Sequence, residues 1–140
     1  AAVAAAASPI DGTLDSESGQ QSASEALQYV LERFPNADLL ALDGIQREVL
    51  IERFLALDCF TFFYTETGKH IQKKCDLSTA ACRIDEIKSY FCEVFRQANE
   101  QRRIAGAPAL GKMSDRQIAG ECRNIIGEAY IIFEAYLDES

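Results

Sequence analysis

Between Ser78 and Ala105 the chain has neither proline nor glycine, and Ala80, Ile84, Ile87, Phe91, Val94, Phe95 and Ala98 recur at steps of three and four residues. Side chains so spaced share one face of an α-helix, while Arg83, Asp85, Glu86, Lys88, Glu93, Arg96 and Glu100 point elsewhere. A helix with one apolar stripe is stable only when another element covers that stripe. The covering elements must therefore lie elsewhere in the chain.

Three further segments show the same period. Ser22 followed by Glu25 has the spacing of a capping box, and Leu27, Val30, Leu31 and Phe34 then share a face until Pro35 stops the pattern. Asp38 starts at most a turn of helix through Leu42. From Asp43 onward Ile45, Val49, Leu50, Phe54, Leu57, Thr61 and Tyr64 keep a helical spacing, with Gly68 as the expected stop. The run Phe60-Thr61-Phe62-Phe63-Tyr64 has strand-like composition, but no turn signal precedes it, so it is read as a continuation of the helix. After the Gly106, Pro108 and Gly111 turn, Ser114 with Gln117 forms a second capping box and Met113 is placed to staple onto Ile118. Ile118, Cys122, Ile125, Ala129, Ile132, Phe133 and Tyr136 follow at core spacing, and Gly120 and Gly127 suggest close packing on a neighbour.

These segments predict an all-α chain: an up-down bundle of three long helices and one short N-terminal helix over residues 22–140. Connections of about ten residues between the long helices favour antiparallel neighbours. Residues 1–21 offer only Ile10 and Leu14 as sizeable hydrophobes, too few to offset the entropy of ordering, and are expected to form an extended or disordered tail. With 140 residues the chain suits one domain, able to bury about 68–70% of its unfolded surface without metals or staples. The topology puts Asp138-Glu139 at the end holding Lys69, Lys73 and Lys74, and gathers Arg102, Arg103, Lys112 and Arg116 at the other end.

Charge narrows the partners. A formal net charge of −8 and a pI near 4.6 disfavour nucleic acid, whose phosphates would be repelled at long range. The densest apolar stretch, Phe54 to Tyr64, is interrupted by Asp58 and Thr61 and is far short of the roughly 20 residues a membrane span needs. Membrane association is expected to be peripheral and through a partner. The run Ala1-Ala2-Val3-Ala4-Ala5-Ala6-Ala7-Ser8-Pro9 looks like the small-residue region of a cleavage site, which favours an exported or lumenal location (thylakoid lumen, periplasm or secreted) over the cytosol.

Chemistry-bearing residues are sparse. His70 is the sole histidine, beside lysines, and no Cys-x-x-Cys pair exists, so no metal site is expected. Glu66 stands four residues before His70 with no second histidine for a di-iron pair. A nucleophile would lack a positioned base, and the loop Gly106 to Lys112 has no strand before it and no Ser or Thr after its lysine, unlike a phosphate loop. No catalytic residue and no cofactor are assigned.

The five cysteines are the most informative polar feature. Cys82 and Cys92, with nine residues between them, resemble half of the twin Cys-x9-Cys arrangement of mitochondrial intermembrane-space helical hairpins; the second half is missing. Ten residues along a helix separate them by about 15 Å, so any disulfide must cross between helices. The antiparallel arrangement favours Cys59 with Cys82 and Cys92 with Cys122, leaving Cys75 in the turn; free thiols acting as small buried hydrophobes are the competing account.

The expected function is that of a non-enzymatic accessory or adaptor subunit docking onto a larger protein complex through its tail, with Ile10 and Leu14, and its basic end, with Arg102, Arg103, Lys112 and Arg116. An extended arm before a small helical bundle is similar in outline to the extrinsic lumenal subunits of photosynthetic membrane complexes. Two alternatives compete. In one, Phe54, Phe60, Phe62, Phe63, Tyr64, Phe91 and Phe95 line a pocket for an apolar ligand or pigment. In the other, Cys75 in its basic turn is a reactive thiol of a redox protein.

Overall fold

The computed structural model describes residues 17–137, with side chains from residue 19 onward. Its elements run α1 (Glu17–Arg33), α2 (Gly44–Lys74), α3 (Leu77–Ala105), a 3-10 turn (Leu110–Lys112), α4 (Asp115–Ile132) and the single turn α5 (Glu134–Leu137). The fold is all-α, with four main helices packed together and no strand among the described residues. Ile10 and Leu14 lie outside the described residues, as do Asp138 and Glu139.

Local chemistry sets most helix ends. The Asp43 carboxylate accepts from the Gln46 backbone N–H at 2.7 Å while the Gln46 side chain accepts from the Asp43 N–H, closing a capping box at the start of α2. Ser114 and Gln117 do the same for α4, as their spacing predicts. The side chain of Asp76 caps α3 by accepting from the Thr79 N–H at 2.7 Å. Gly106 ends α3 in the left-handed region at φ 71°, and its N–H reaches the Arg103 carbonyl.

Two ends differ from expectation. Helix α1 already runs at Glu17, so the Ser22–Glu25 capping box does not exist: Ser22 is buried inside the helix, and Glu25 instead pairs with Lys88 of α3 at 3.1 Å. Ala23, Ala26 and Val30 are buried around it, so the face that α1 lays on the bundle begins before Ser22. Gly68 does not stop α2, which continues to Lys74. It is buried, and a Cβ there would come within 2.8 Å of the Tyr64 ring, so this glycine makes room for an aromatic one turn earlier. Asp38 forms a single turn through its bond from the Ala41 N–H, not a helix.

Helices α2 and α3 form a hairpin turned by Cys75 and Asp76 alone, far shorter than the expected connection. This fixes the register. Phe60 faces Phe91 at 6.5 Å between ring centroids, and Glu52 accepts from Asn99 at 3.4 Å. Around Phe63 the rings of Phe91, Tyr130 and Phe133 gather at 5.7, 4.9 and 6.4 Å, and Tyr90 meets Phe133 edge-on at 5.3 Å. Phe54, Phe63, Phe91 and Phe95 are fully buried, as are Leu50, Leu55, Ile71, Ile87 and Leu110.

The connection to α4 is stitched down by side chains. Asn99 accepts from the Leu110 N–H at 3.1 Å and Glu48 accepts from the Gly111 N–H at 3.2 Å. Helix α4 then returns along the hairpin with Ile118, Ile125 and Ala129 buried. Neither glycine of α4 explains its packing: a Cβ at Gly127 would meet nothing within 4 Å, and one at Gly120 would meet only the Arg123 guanidinium at 4.0 Å. At Phe133 the helix breaks, and in α5 Tyr136 donates to Glu86 while the Arg83 guanidinium lies over its ring at 4.6 Å. The far end of α4 and α5 thus sits at the α2–α3 turn, consistent with an up-down bundle.

Candidate functional site

The cysteines are free, and none of the expected crossings is at bonding distance. The short α2–α3 turn explains why: it brings Cys59 level with the Phe91–Cys92 stretch of α3, while Cys82 sits near the turn, exposed. Cys92 lines a surface groove with Tyr29, Glu52, Arg53, Lys88 and Arg96, away from α4. Burial raises its thiol pKa. The two thiols that do neighbour each other are Cys59 and Cys122, across α2 and α4. Their shared hydrogen bond and burial hold the Cys59 thiol well above its usual range, so it stays protonated and apolar in character.

Asp58 lies beside this pair, buried in the most apolar stretch of α2, and desolvation raises its pKa from 3.8 to about 6. Its signal in the sequence was an acid inside the Phe54–Tyr64 run. Cys75 is partly buried, donates to the Ile71 carbonyl at 3.1 Å and accepts from Arg83 at 3.3 Å, so its basic neighbour comes from α3 and not from the lysines of the turn. The aromatic set expected to line a ligand pocket is mostly core: Phe54, Phe63, Phe91 and Phe95 fill the bundle with their own rings, and Phe62 points out, 55% exposed.

The basic end assembles as expected in place but not in charge. Arg102 pairs with Glu121 at 3.9 Å and Arg103 with Glu100 three residues away, which leaves Lys112 and Arg116 without an ion-pair partner among the described residues. Exposed pairs of this kind contribute little to stability.

A different surface stands out at the opposite end. The last turn of α4 carries Tyr130, Ile131 and Ile132, which point in three directions, and only the side holding Ala129 and Phe133 is covered. Ile131 is 73% exposed and Ile132 55%. Tyr130 packs its ring on Phe63 of α2. Tyr130, Ile131, Glu134 and Leu137 line one shallow depression. The sequence carried a sign of it in four consecutive apolar residues, Tyr130 to Phe133, which no single buried stripe accommodates.

By fold, then, the chain is a small all-α bundle that leaves one apolar helix end open to solvent. It belongs to the QatB family, described as Qat anti-phage system associated protein QatB, which matches residues 1–133. No curated protein and no solved structure matches it. The outline likeness to lumenal photosynthetic subunits gains nothing from that membership, which associates the chain with a defence system against phage. No helix among the described residues is long and apolar enough to cross a membrane.

Proposed function

We propose that this chain serves the Qat anti-phage system as a non-catalytic accessory subunit, acting by binding other proteins of that system. The observation that carries the reading is the family match along residues 1–133. The uncovered apolar end of α4 supports it, because exposed contiguous apolar surface marks sites of protein contact. The net charge of −8 speaks for a basic or neutral protein surface as partner and against nucleic acid.

The N-terminal segment with Ile10 and Leu14 belongs to the same reading as a second contact, alongside Lys112 and Arg116 at the basic end. Association with the Qat system supports a chain found wherever the other Qat proteins are, over the exported location expected from the Ala-rich start; fractionation of the native host tests this, and recovery from the periplasm would restore export.

Coexpression of the chain with each of the other Qat proteins, followed by size-exclusion chromatography, tests the function. A stable complex with at least one of them is expected, weakened when residues 1–16 are removed ahead of α1. Comigration with none of them overturns the docking reading.

A further inference from the structure

We propose that Cys122 and Cys59 form a site of reversible oxidation, at which a peroxide oxidises Cys122 and Cys59 closes on it as a disulfide joining α4 to α2. The site stands independently of the accessory-subunit reading. Both residues lie in the seam between the two helices. Cys122 continues the buried stripe of α4, four residues after Ile118 and three before Ile125, while Cys59 sits between the buried Leu55 and Phe63 on α2. Their side chains share a hydrogen bond across the seam. Cys59 is 4% exposed and Cys122 only partly covered, so an oxidant arriving from solvent meets Cys122 first, with Cys59 next to it. An accessible thiol beside a second, resolving thiol is the arrangement in which cysteine oxidises reversibly.

Exposure and charge assign the roles. Cys59 donates its S–H to the Cys122 sulfur, which lowers the Cys122 pKa; burial, Asp58 and Glu121 oppose this, and Arg123 assists it. Cys122 is the nucleophile, and Cys59, held protonated, is the resolving thiol. The Cys122 thiolate attacks one peroxide oxygen, the O–O bond breaks and hydroxide leaves, so the sulfur is oxidised to a sulfenic acid and the peroxide is reduced. The Cys59 sulfur then attacks the sulfenic sulfur; the S–S bond forms, the S–O bond breaks, and the hydroxyl departs as water with the Cys59 proton. A dithiol reductant returns both electrons and both protons and itself becomes a disulfide. Sulfurs already in hydrogen-bond contact need only a small approach of the helices to reach the roughly 2.05 Å of the bond. The other thiols are placed differently: Cys75 is engaged by the Ile71 carbonyl and Arg83, Cys92 lines the groove with Tyr29 and Arg53, and Cys82 is exposed on α3.

The test exposes the folded full chain to a limiting dose of hydrogen peroxide, alkylates the remaining thiols after unfolding, and maps linked peptides by mass spectrometry without reduction. An intramolecular link between Cys59 and Cys122 is expected, with Cys75 and Cys92 still alkylated and all thiols recovered after dithiothreitol. The oxidised chain should melt at a higher temperature than the reduced one, because the link restricts the unfolded chain. In Cys59→Ala the oxidation of Cys122 should stop at the sulfenic acid, so that dimedone labels it at least tenfold more than in wild type; in Cys122→Ala, Cys59 should stay a thiol. Cys82→Ser, at the exposed cysteine of α3, is the control and should link as wild type does. The wild-type map needs no substitution, so the test stands even where a core variant fails to fold. If Cys122 remains a thiol at a dose that oxidises Cys82, or is oxidised in the folded wild type without linking to Cys59, the proposal is overturned.

Discussion

The α2–α3 hairpin and the last turn of α4 use the same kinds of side chain to opposite effect. In the hairpin Phe54, Phe63, Phe91 and Phe95 are wholly enclosed, because two long helices joined by two residues bring their stripes into register over their whole length. At the end of α4, Ile131 and Ile132 are equally apolar and remain in water. Hydrophobicity alone therefore does not bury a residue in this chain; a neighbouring helix must pass on the side to which it points. Where none passes, apolar surface is left over for contact with something else.

The largest test of that contrast is Phe91→Ala. Its fully buried ring touches Phe60, Phe63 and Tyr90, and the substitution is expected to destabilise the bundle by about 3–5 kcal/mol in chemical denaturation. A loss below about 1 kcal/mol would mean that the hairpin core is not packed as described.

Asp58 tests the same core by pH. Burial raises its folded-state pKa from 3.8 to about 6, so the protonated form is the one the fold favours. Its contribution is fully present below the unfolded value and is lost as pH climbs through about 6; wild type should lose stability relative to Asp58→Asn between about pH 4 and about pH 7. Allowing for the water that still reaches the carboxyl, the difference is about 1–2 kcal/mol. Thermal melts of both proteins across that range measure it, and parallel curves would show that Asp58 is not desolvated.

On α4, Ser114→Ala removes the acceptor for the Gln117 N–H and should cost about 1 kcal/mol. Gly127→Ala, in open space within the same helix, should add about 0.5–1 kcal/mol; a loss there would reveal a close neighbour that the structure lacks. The smallest effect belongs to Ile131→Ser, expected within about 0.5 kcal/mol of wild type by denaturation. A cost approaching that of Phe91→Ala would collapse the comparison between the two regions.

Much of the architecture was legible in residue order. The stripe from Ala80 to Ala98, the strand-like Phe60–Tyr64 run as helix, and the Ser114–Gln117 capping box all depend on interactions within four residues, which a local pattern records faithfully. The start of α1 is not legible locally, because Ser22 has the spacing of a cap and only its burial shows that the helix has already begun. Gly68 is ambiguous in the same way: a glycine can end a helix or admit a ring, and the position of Tyr64 decides between them. The candidate site was the least legible part. The basic end was found but its internal ion pairs were not, and the open face was visible only as an excess of apolar residues at Tyr130–Phe133.

Sequence by itself determined the helical class, the number of main helices and most of their ends, since backbone hydrogen bonding and capping act over a few residues. Tertiary structure alone decided which thiols meet and which hydrophobes stay wet. A connection of two residues in place of ten slides one helix along another, and that slide sets Cys59 level with Cys92 instead of Cys82. Such a displacement leaves every local pattern intact while changing every pair across the interface, so no reading of periodicity detects it.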